Sequence, residues 1–212
     1  MNKQELLDEY ILAHATPEHE QLTKISRQTH LEVLNPRMVS GHLQGQILKL
    51  ICQMIKPNRI LEIGAFTGYS AVCFAQGTTP DCIIDTIEVD DELEIRLRNN
   101  FKEAEVAHKI NLHIGDALEI IRTLDHQYDL VFIDGDKREY IAYYNLIFDK
   151  VKNGGFILAD NVLWDNKVIE PINKKDAQTQ SIVEFNDYIK NDCRVEKAIL
   201  PLRDGLFLIR KL

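Results

Sequence analysis

Asp134, Lys137, Asp160 and Asn161 carry the groups in this sequence best suited to chemistry. Asp134 follows the apolar run Leu130-Val131-Phe132-Ile133 and opens Asp134-Gly135-Asp136-Lys137; Asp160-Asn161 follows Phe156-Ile157-Leu158-Ala159 in the same way. Two carboxylates and an amide oxygen form a hard donor set, suited to Mg²⁺, Mn²⁺ or Ca²⁺ rather than zinc. Lys137 can take a proton where a nearby cation favours its neutral amine. Any one of the three oxygen donors is equally at home as a strand-terminal cap or turn former. Three of them at adjacent strand ends, beside a lysine, favour a cation.

A second segment is Leu61-Glu62-Ile63-Gly64-Ala65-Phe66-Thr67-Gly68-Tyr69-Ser70. An apolar run, a glycine turn and a helix start place backbone N–H groups beside a small ligand. The spacing is Gly-x-x-x-Gly, not the Gly-x-Gly-x-x-Gly that cradles a dinucleotide pyrophosphate. Glu62 would repel a pyrophosphate and suits a ligand with an amino group and a sulfonium, which points to S-adenosylmethionine rather than NAD. Glu88 closes the next apolar run and can accept from both ribose hydroxyls. Asp90 competes for that place but reads better as a helix N-cap. Asp116, in Gly115-Asp116-Ala117, can accept from an adenine amino group or cap a helix, with Ala117 keeping the wall flat.

The elements that position these groups alternate. Strand candidates fall at 59–63, 83–89, 110–114, 130–133 and 156–159, with helix candidates at 70–76, 91–107, 117–124 and 140–151. Strands alternating with helices predict a parallel sheet covered on both faces, with ligands at the carboxyl ends of the strands. Residues 194–200 and 206–212 read as a hairpin through Pro201-Leu202-Arg203-Asp204-Gly205, so the sheet should end in an antiparallel strand. The fold class is α/β: a Rossmann-like, doubly wound, seven-stranded sheet, mostly parallel, with helices on both faces. Upstream, Thr16-Pro17-Glu18 reads as a helix start with Thr16 as N-cap, and 45–55 is helical until Pro57. One domain is expected over 1–212, with a helical cap at 1–56 and the core at 57–212.

The chain has 212 residues, 45% hydrophobic and 27% charged, with a net charge of −8. That size can bury a sizeable core, and the acidic balance argues against nucleic acid as a partner. No apolar run approaches a membrane span, and the first residues carry no secretory leader pattern, so a cytoplasmic protein is expected. Cys52, Cys73, Cys82 and Cys193 lack Cys-x-x-Cys spacing and read as buried thiols.

The chain resembles the cation-dependent O-methyltransferases, the group of caffeoyl-CoA and catechol O-methyltransferases and their bacterial relatives. The resemblance is carried by Met38-Val39-Ser40-Gly41-His42-Leu43-Gln44-Gly45-Gln46 and by 61–70, 86–90, 128–140 and 154–164. It implies that Met38 and Ser40 close over S-adenosylmethionine. It also implies that Glu62, Ser70, Glu88, Ala117 and Asp134 line the cofactor pocket, with Gly64, Phe66, Val89 and Asp116 counted with them. Asp134, Asp160 and Asn161 become ligands of a divalent cation. Lys137 becomes the general base, with Asp134 beside it in the catalytic set. The implied partners are a small aromatic substrate with adjacent hydroxyls and, by analogy with relatives, a second copy of the chain in a homodimer supported by the helical N-terminus.

Asp136 departs from catechol-type members, which have an aromatic residue there, and sits closer to the bacterial and caffeoyl-CoA branch. Trp164 can stack on a substrate ring or pack at the loop base. The polar stretch 165–180, with Lys167, Lys174 and Lys175, reads as a substrate loop or a solvated run. His42 reads as structural. The competing functions are a nicotinamide dehydrogenase on the same fold, an S-adenosylmethionine-dependent protein with a non-phenolic substrate, and a non-catalytic cofactor-binding scaffold.

Overall fold

The computed structural model describes residues 3–173 and 175–212, Gln4 by its backbone alone. Met1, Asn2 and Lys174 lie outside the described residues. The strands are β1 (Arg59–Ile63), β2 (Ile83–Glu88), β3 (Ile110–Ile114), β4 (Tyr128–Ile133), β5 (Val151–Asp160), β6 (Val195–Leu200) and β7 (Leu206–Lys211). They form one sheet in the order β3-β2-β1-β4-β5-β7-β6. The pairs from β3 through β5 are parallel. β7 is antiparallel to both β5 and β6. The hairpin expected from sequence is present, but its antiparallel strand sits inside the sheet, and β6 forms the edge.

Helices α1 (Lys3–Ala13), α2 (Glu20–Glu32) and α3 (Gly41–Ile55) precede β1; α4 (Tyr69–Gly77), α5 (Glu94–Glu103), α6 (Ala117–Thr123) and α7 (Tyr140–Phe148) link the parallel strands; and α8 (Ala177–Asn191) precedes β6. The two-residue period of a strand sends alternate side chains to opposite faces. Ile60, Leu130, Phe132 and Leu158 accordingly join a core with residues of α2 to α5. Leu61, Val131, Ile133, Ile157 and Ala159 join a second core with α6, α7 and α8.

Some local expectations are corrected. Thr16 caps no helix: α2 begins at Glu20, capped by His19, whose Nδ1 accepts from the Gln21 N–H. The Thr16 carbonyl instead accepts from His42 Nε2 at 2.7 Å, and Glu18 accepts from the Tyr69 hydroxyl, so this segment straps α3 and α4. The 91–107 helix is broken into a 3₁₀ turn at Asp91–Leu93, α5, and another at Ala107–Lys109. Val151 opens β5 rather than closing a helix. The polar stretch holds a short 3₁₀ turn, Lys167–Ile169, and then the start of α8, a helix absent from the sequence expectations.

Cys52, Cys73 and Cys82 are buried free thiols, whereas Cys193 is exposed. No helix among the described residues is long and apolar enough to cross a membrane.

Candidate active site

The sheet reverses its winding between β1 and β4, and this is where an open α/β sheet leaves a crevice at the carboxyl ends of its strands. Gly64 makes the reversal tight. Its φ is +100°, and a Cβ there would lie 2.3 Å from the Asp134 carbonyl oxygen. Only glycine fits both conditions. The turn after β1 thus lies against the turn after β4, with the Asp134 N–H donating to the Ile63 carbonyl at 2.8 Å. A cleft beside this contact is lined by Met38, Ser40, Gly64, Phe66, Ser70 and Asp134. Six residues singled out from sequence therefore meet in one place.

Glu62 lies beneath them, fully buried. The Thr86 hydroxyl donates to its Oε2, while its Oε1 has no partner. Burial pushes its carboxyl from an ordinary value near 4.5 up to about 7, with the nearby Ser70 and Thr86 hydroxyls pulling the other way.

Glu88 is buried at the end of β2. Its Oε2 accepts from the Phe66 N–H at 2.6 Å and its Oε1 from the Asp90 N–H at 2.9 Å, which fixes the carboxylate beside the glycine turn. Burial raises its pKa. Asp90 caps the 3₁₀ turn that follows, as its sequence reading had it. Asp116 is an exposed cap of α6, accepting from the Leu118 and Glu119 N–H groups at 2.7 and 3.2 Å. Val89 is exposed and Ala117 partly buried, and neither lines the cleft of the glycine turn.

On the other side, Lys137 is buried, and its Nζ donates to Asp134 Oδ1 at 2.7 Å and to the Tyr140 hydroxyl at 2.6 Å. Its local alternatives are taken: Asp136 holds Arg138, and Glu139 accepts from Tyr143. Tyr140, fully buried, also contacts the Ile133 and Asp160 carbonyls, tying the ends of β4 and β5 to Lys137. Burial pushes the Asp134 carboxyl up to about 7; Lys137 opposes this and Asp160 adds to it.

Asp160 is 2% exposed. Its Oδ2 accepts from Gln44 Nε2 at 2.7 Å. Asn161 follows in the left-handed region, φ 58°. Trp164 is partly buried and packs against the second core, and 164–166 are all left-handed.

Sequence reasoning assigned no role to Tyr140, Gln44 or Arg203. Arg203, on the β6–β7 turn, donates to the Ser40 carbonyl and to Gln44 Oε1 at 3.1 Å.

The O-methyltransferase family profile matches residues 12–212. The chain belongs to that family. A relative from Dictyostelium discoideum, named probable caffeoyl-CoA O-methyltransferase 2, is 32% identical over 95% of this chain and 91% of its own. Among solved structures, the O-methyltransferase TomG from Streptomyces achromogenes, in complex with SAM, has a TM-score of 0.91 at 30% identity. It covers 100% of this chain and 99% of its own. SAH-bound PaMTH1 from Podospora anserina has a TM-score of 0.91 at 27% identity, covering 100% of this chain and 97% of its own.

In this O-methyltransferase the donor set at the ends of β4 and β5 fits a hard cation on two observations. Asp160 Oδ1 is buried and has no partner, a costly state for a carboxylate oxygen unless something charged meets it. Asp160 lies close enough to Asp134 for its charge to raise the proton affinity of the Asp134 carboxylate. The set is two carboxylates and an amide; no group of three or more His, Cys, Asp or Glu suited to a metal occurs among the described residues.

Proposed function

We propose that this protein transfers a methyl group from S-adenosylmethionine to one hydroxyl of an aromatic compound with adjacent hydroxyls, with Asp134, Asp160 and Asn161 holding a divalent cation. The observation that carries the reading is Asp134 itself: one carboxylate lines the glycine-turn cleft and also pairs with Lys137. A cofactor in that cleft and a substrate beside Lys137 would meet there. The names of the relatives and the SAM held by TomG support the same reading.

When bound, the cofactor supplies the methyl group and the cation supplies positive charge that acidifies and orients the substrate hydroxyl. The chain does the rest by placement. Met38 and Ser40 cover the cleft, Glu88 takes the ribose hydroxyls, and Glu62 lies below Ser70 as a negative charge for the cofactor's amino group. Lys137 receives the hydroxyl proton, since a cation competes for the carboxylate that otherwise engages its ammonium.

The test is methyl transfer to a pool of catechols and hydroxycinnamoyl esters, read as S-adenosylhomocysteine release with Mg²⁺ or EDTA. Product that disappears with EDTA is expected. Product that survives EDTA would remove the cation from the reading, and absence of product with every acceptor would remove the substrate class.

Glu62 gives a pH prediction. Its folded-state pKa is raised, so the folded protein holds the proton more tightly than the unfolded chain. The resulting stability is fully present below about pH 4.5 and is lost as pH climbs through about 7. Cofactor binding runs the other way, strengthening as the carboxylate forms. Glu62→Gln should flatten both trends. Melting curves and S-adenosylhomocysteine calorimetry at about pH 6 and about pH 8 would check this, and a variant retaining the wild-type pH dependence of affinity would exclude Glu62 as its source.

A further inference from the structure

We infer that Gln44 and Arg203 are positioning residues for Asp160, acting in series. The inference rests on the cation reading above. A glutamine amide can present either end, so its orientation must be decided by its neighbours. Arg203 decides it. A guanidinium has only donors, so the Gln44 oxygen must face Arg203, where it accepts from Nη1 at 3.1 Å. The NH₂ must then face Asp160, where it donates to Oδ2 at 2.7 Å. One carboxylate oxygen is thereby occupied and the other, Oδ1, is left buried and without a partner. The arrangement fixes the carboxylate in one rotamer and presents one oxygen.

Both relays are built into the fold. Gln44 is 1% exposed on α3, so its amide has little freedom to turn elsewhere. Arg203 also donates to the Ser40 carbonyl, which keeps it against the segment that covers the cleft. The turn that carries Arg203 is locked to the chain just beyond Asn161: the Val162 and Leu163 N–H groups donate to the Gly205 and Asp204 carbonyls at 3.1 and 2.8 Å. Gly205 permits this contact, with φ +87° and a Cβ that would fall 2.4 Å from the Leu163 side chain. Among the described residues the hydrogen bonds of Arg203 reach Asp160 through Gln44, while its turn braces the loop that follows the two donors.

The experiment titrates Mn²⁺ into protein saturated with S-adenosylhomocysteine, reading free Mn²⁺ by electron paramagnetic resonance. The wild type should bind Mn²⁺. Gln44→Met keeps the volume and removes both hydrogen bonds; it should weaken Mn²⁺ by roughly 10–100-fold, the range for groups that orient a ligand. Its S-adenosylhomocysteine affinity, measured by calorimetry, should not change. Arg203→Met should weaken Mn²⁺ less, because the amide is then free to flip rather than absent, and Arg203→Lys should restore part of the loss. The double variant should bind Mn²⁺ no more weakly than Gln44→Met alone. Wild-type Mn²⁺ affinity in Gln44→Met overturns the inference, and additive losses in the double variant overturn the serial route. If Gln44→Met does not fold, unchanged Mn²⁺ affinity in Arg203→Met overturns the inference on its own. A wild-type protein that binds no Mn²⁺ overturns the cation reading and this inference with it.

Discussion

Asp160→Ala is expected to abolish cation-dependent turnover while leaving a folded protein that still binds S-adenosylhomocysteine. The carboxylate lies at the end of β5, buried, with Oδ1 unpartnered, and it lines no part of the glycine-turn cleft. In the proposed reaction it acts on the cation and not on the cofactor. A cation that polarises the reacting oxygen is worth several kcal/mol of transition-state stabilisation. At about 1.36 kcal/mol per tenfold, the loss should be roughly a thousandfold or more in kcat. Stability should move little, because two effects oppose. Removing the side chain leaves the Gln44 amide donor unpaired, at a cost of about 1–3 kcal/mol. It also removes a buried carboxylate with an unsatisfied oxygen. The measurement is kcat against Mg²⁺ concentration at saturating S-adenosylmethionine, with calorimetry of S-adenosylhomocysteine beside it. Turnover equal to wild type at every Mg²⁺ concentration would show that Asp160 holds no catalytic cation.

Lys137→Met is expected to lower kcat by about 10²–10⁴, the usual contribution of a positioned proton acceptor, with little change in cofactor affinity. Lys137 is held too tightly to be a solvated surface cation: Asp134 lies on one side and the Tyr140 hydroxyl on the other, at 2.7 and 2.6 Å. Tyr140 in turn contacts the carbonyls at the ends of β4 and β5. Methionine fills the same volume without a nitrogen to take the proton. A phenolic substrate ionises by itself near pH 10, so the variant should recover rate as pH rises toward that value. That recovery separates a lost base from a disturbed site, since a misplaced substrate would not be rescued by hydroxide. Rates measured from pH 7 to about 10 that stay low throughout would assign Lys137 to holding Asp134 instead.

Asp134 and Asp160 were legible in the sequence because each follows an apolar run, and Lys137 because it stands three residues after Asp134. A continuously buried apolar run that stops just before Asp134 or Asp160 announces both the element and the end of the sheet at which the polar residue stands. The glycine turn was legible for a similar reason: Gly64 marks the spot where backbone meets backbone. The supporting contacts were not. Gln44 and Asp160 are 116 positions apart, and Gln44 and Arg203 are 159 apart; no local pattern reports such a meeting. Thr16 was misread because cap chemistry is local, whereas His42 and Tyr69 reach this segment from α3 and α4. The strand expected at 156–159 begins earlier, at Val151, and runs through Gly154 and Gly155. The apolar positions of α8, Ile182, Phe185 and Ile189, do repeat at helical spacing, but the polar run before them drew the reading toward a loop.

β7 leaves the ribosome after every other strand, yet it fills an interior slot of the sheet. Until it arrives, β5 is an open edge along the residues that lead to Asp160, and β6 has nothing to pair with. The nascent protein is therefore most exposed to wrong pairing on the side where its chemistry is built. A chain stopped before Leu206 would contain every residue assigned to the reaction and still lack the strand that brings Arg203 to α3. Completion of the sheet beside Asp160 thus waits for β7, after the residues of the reaction have been made.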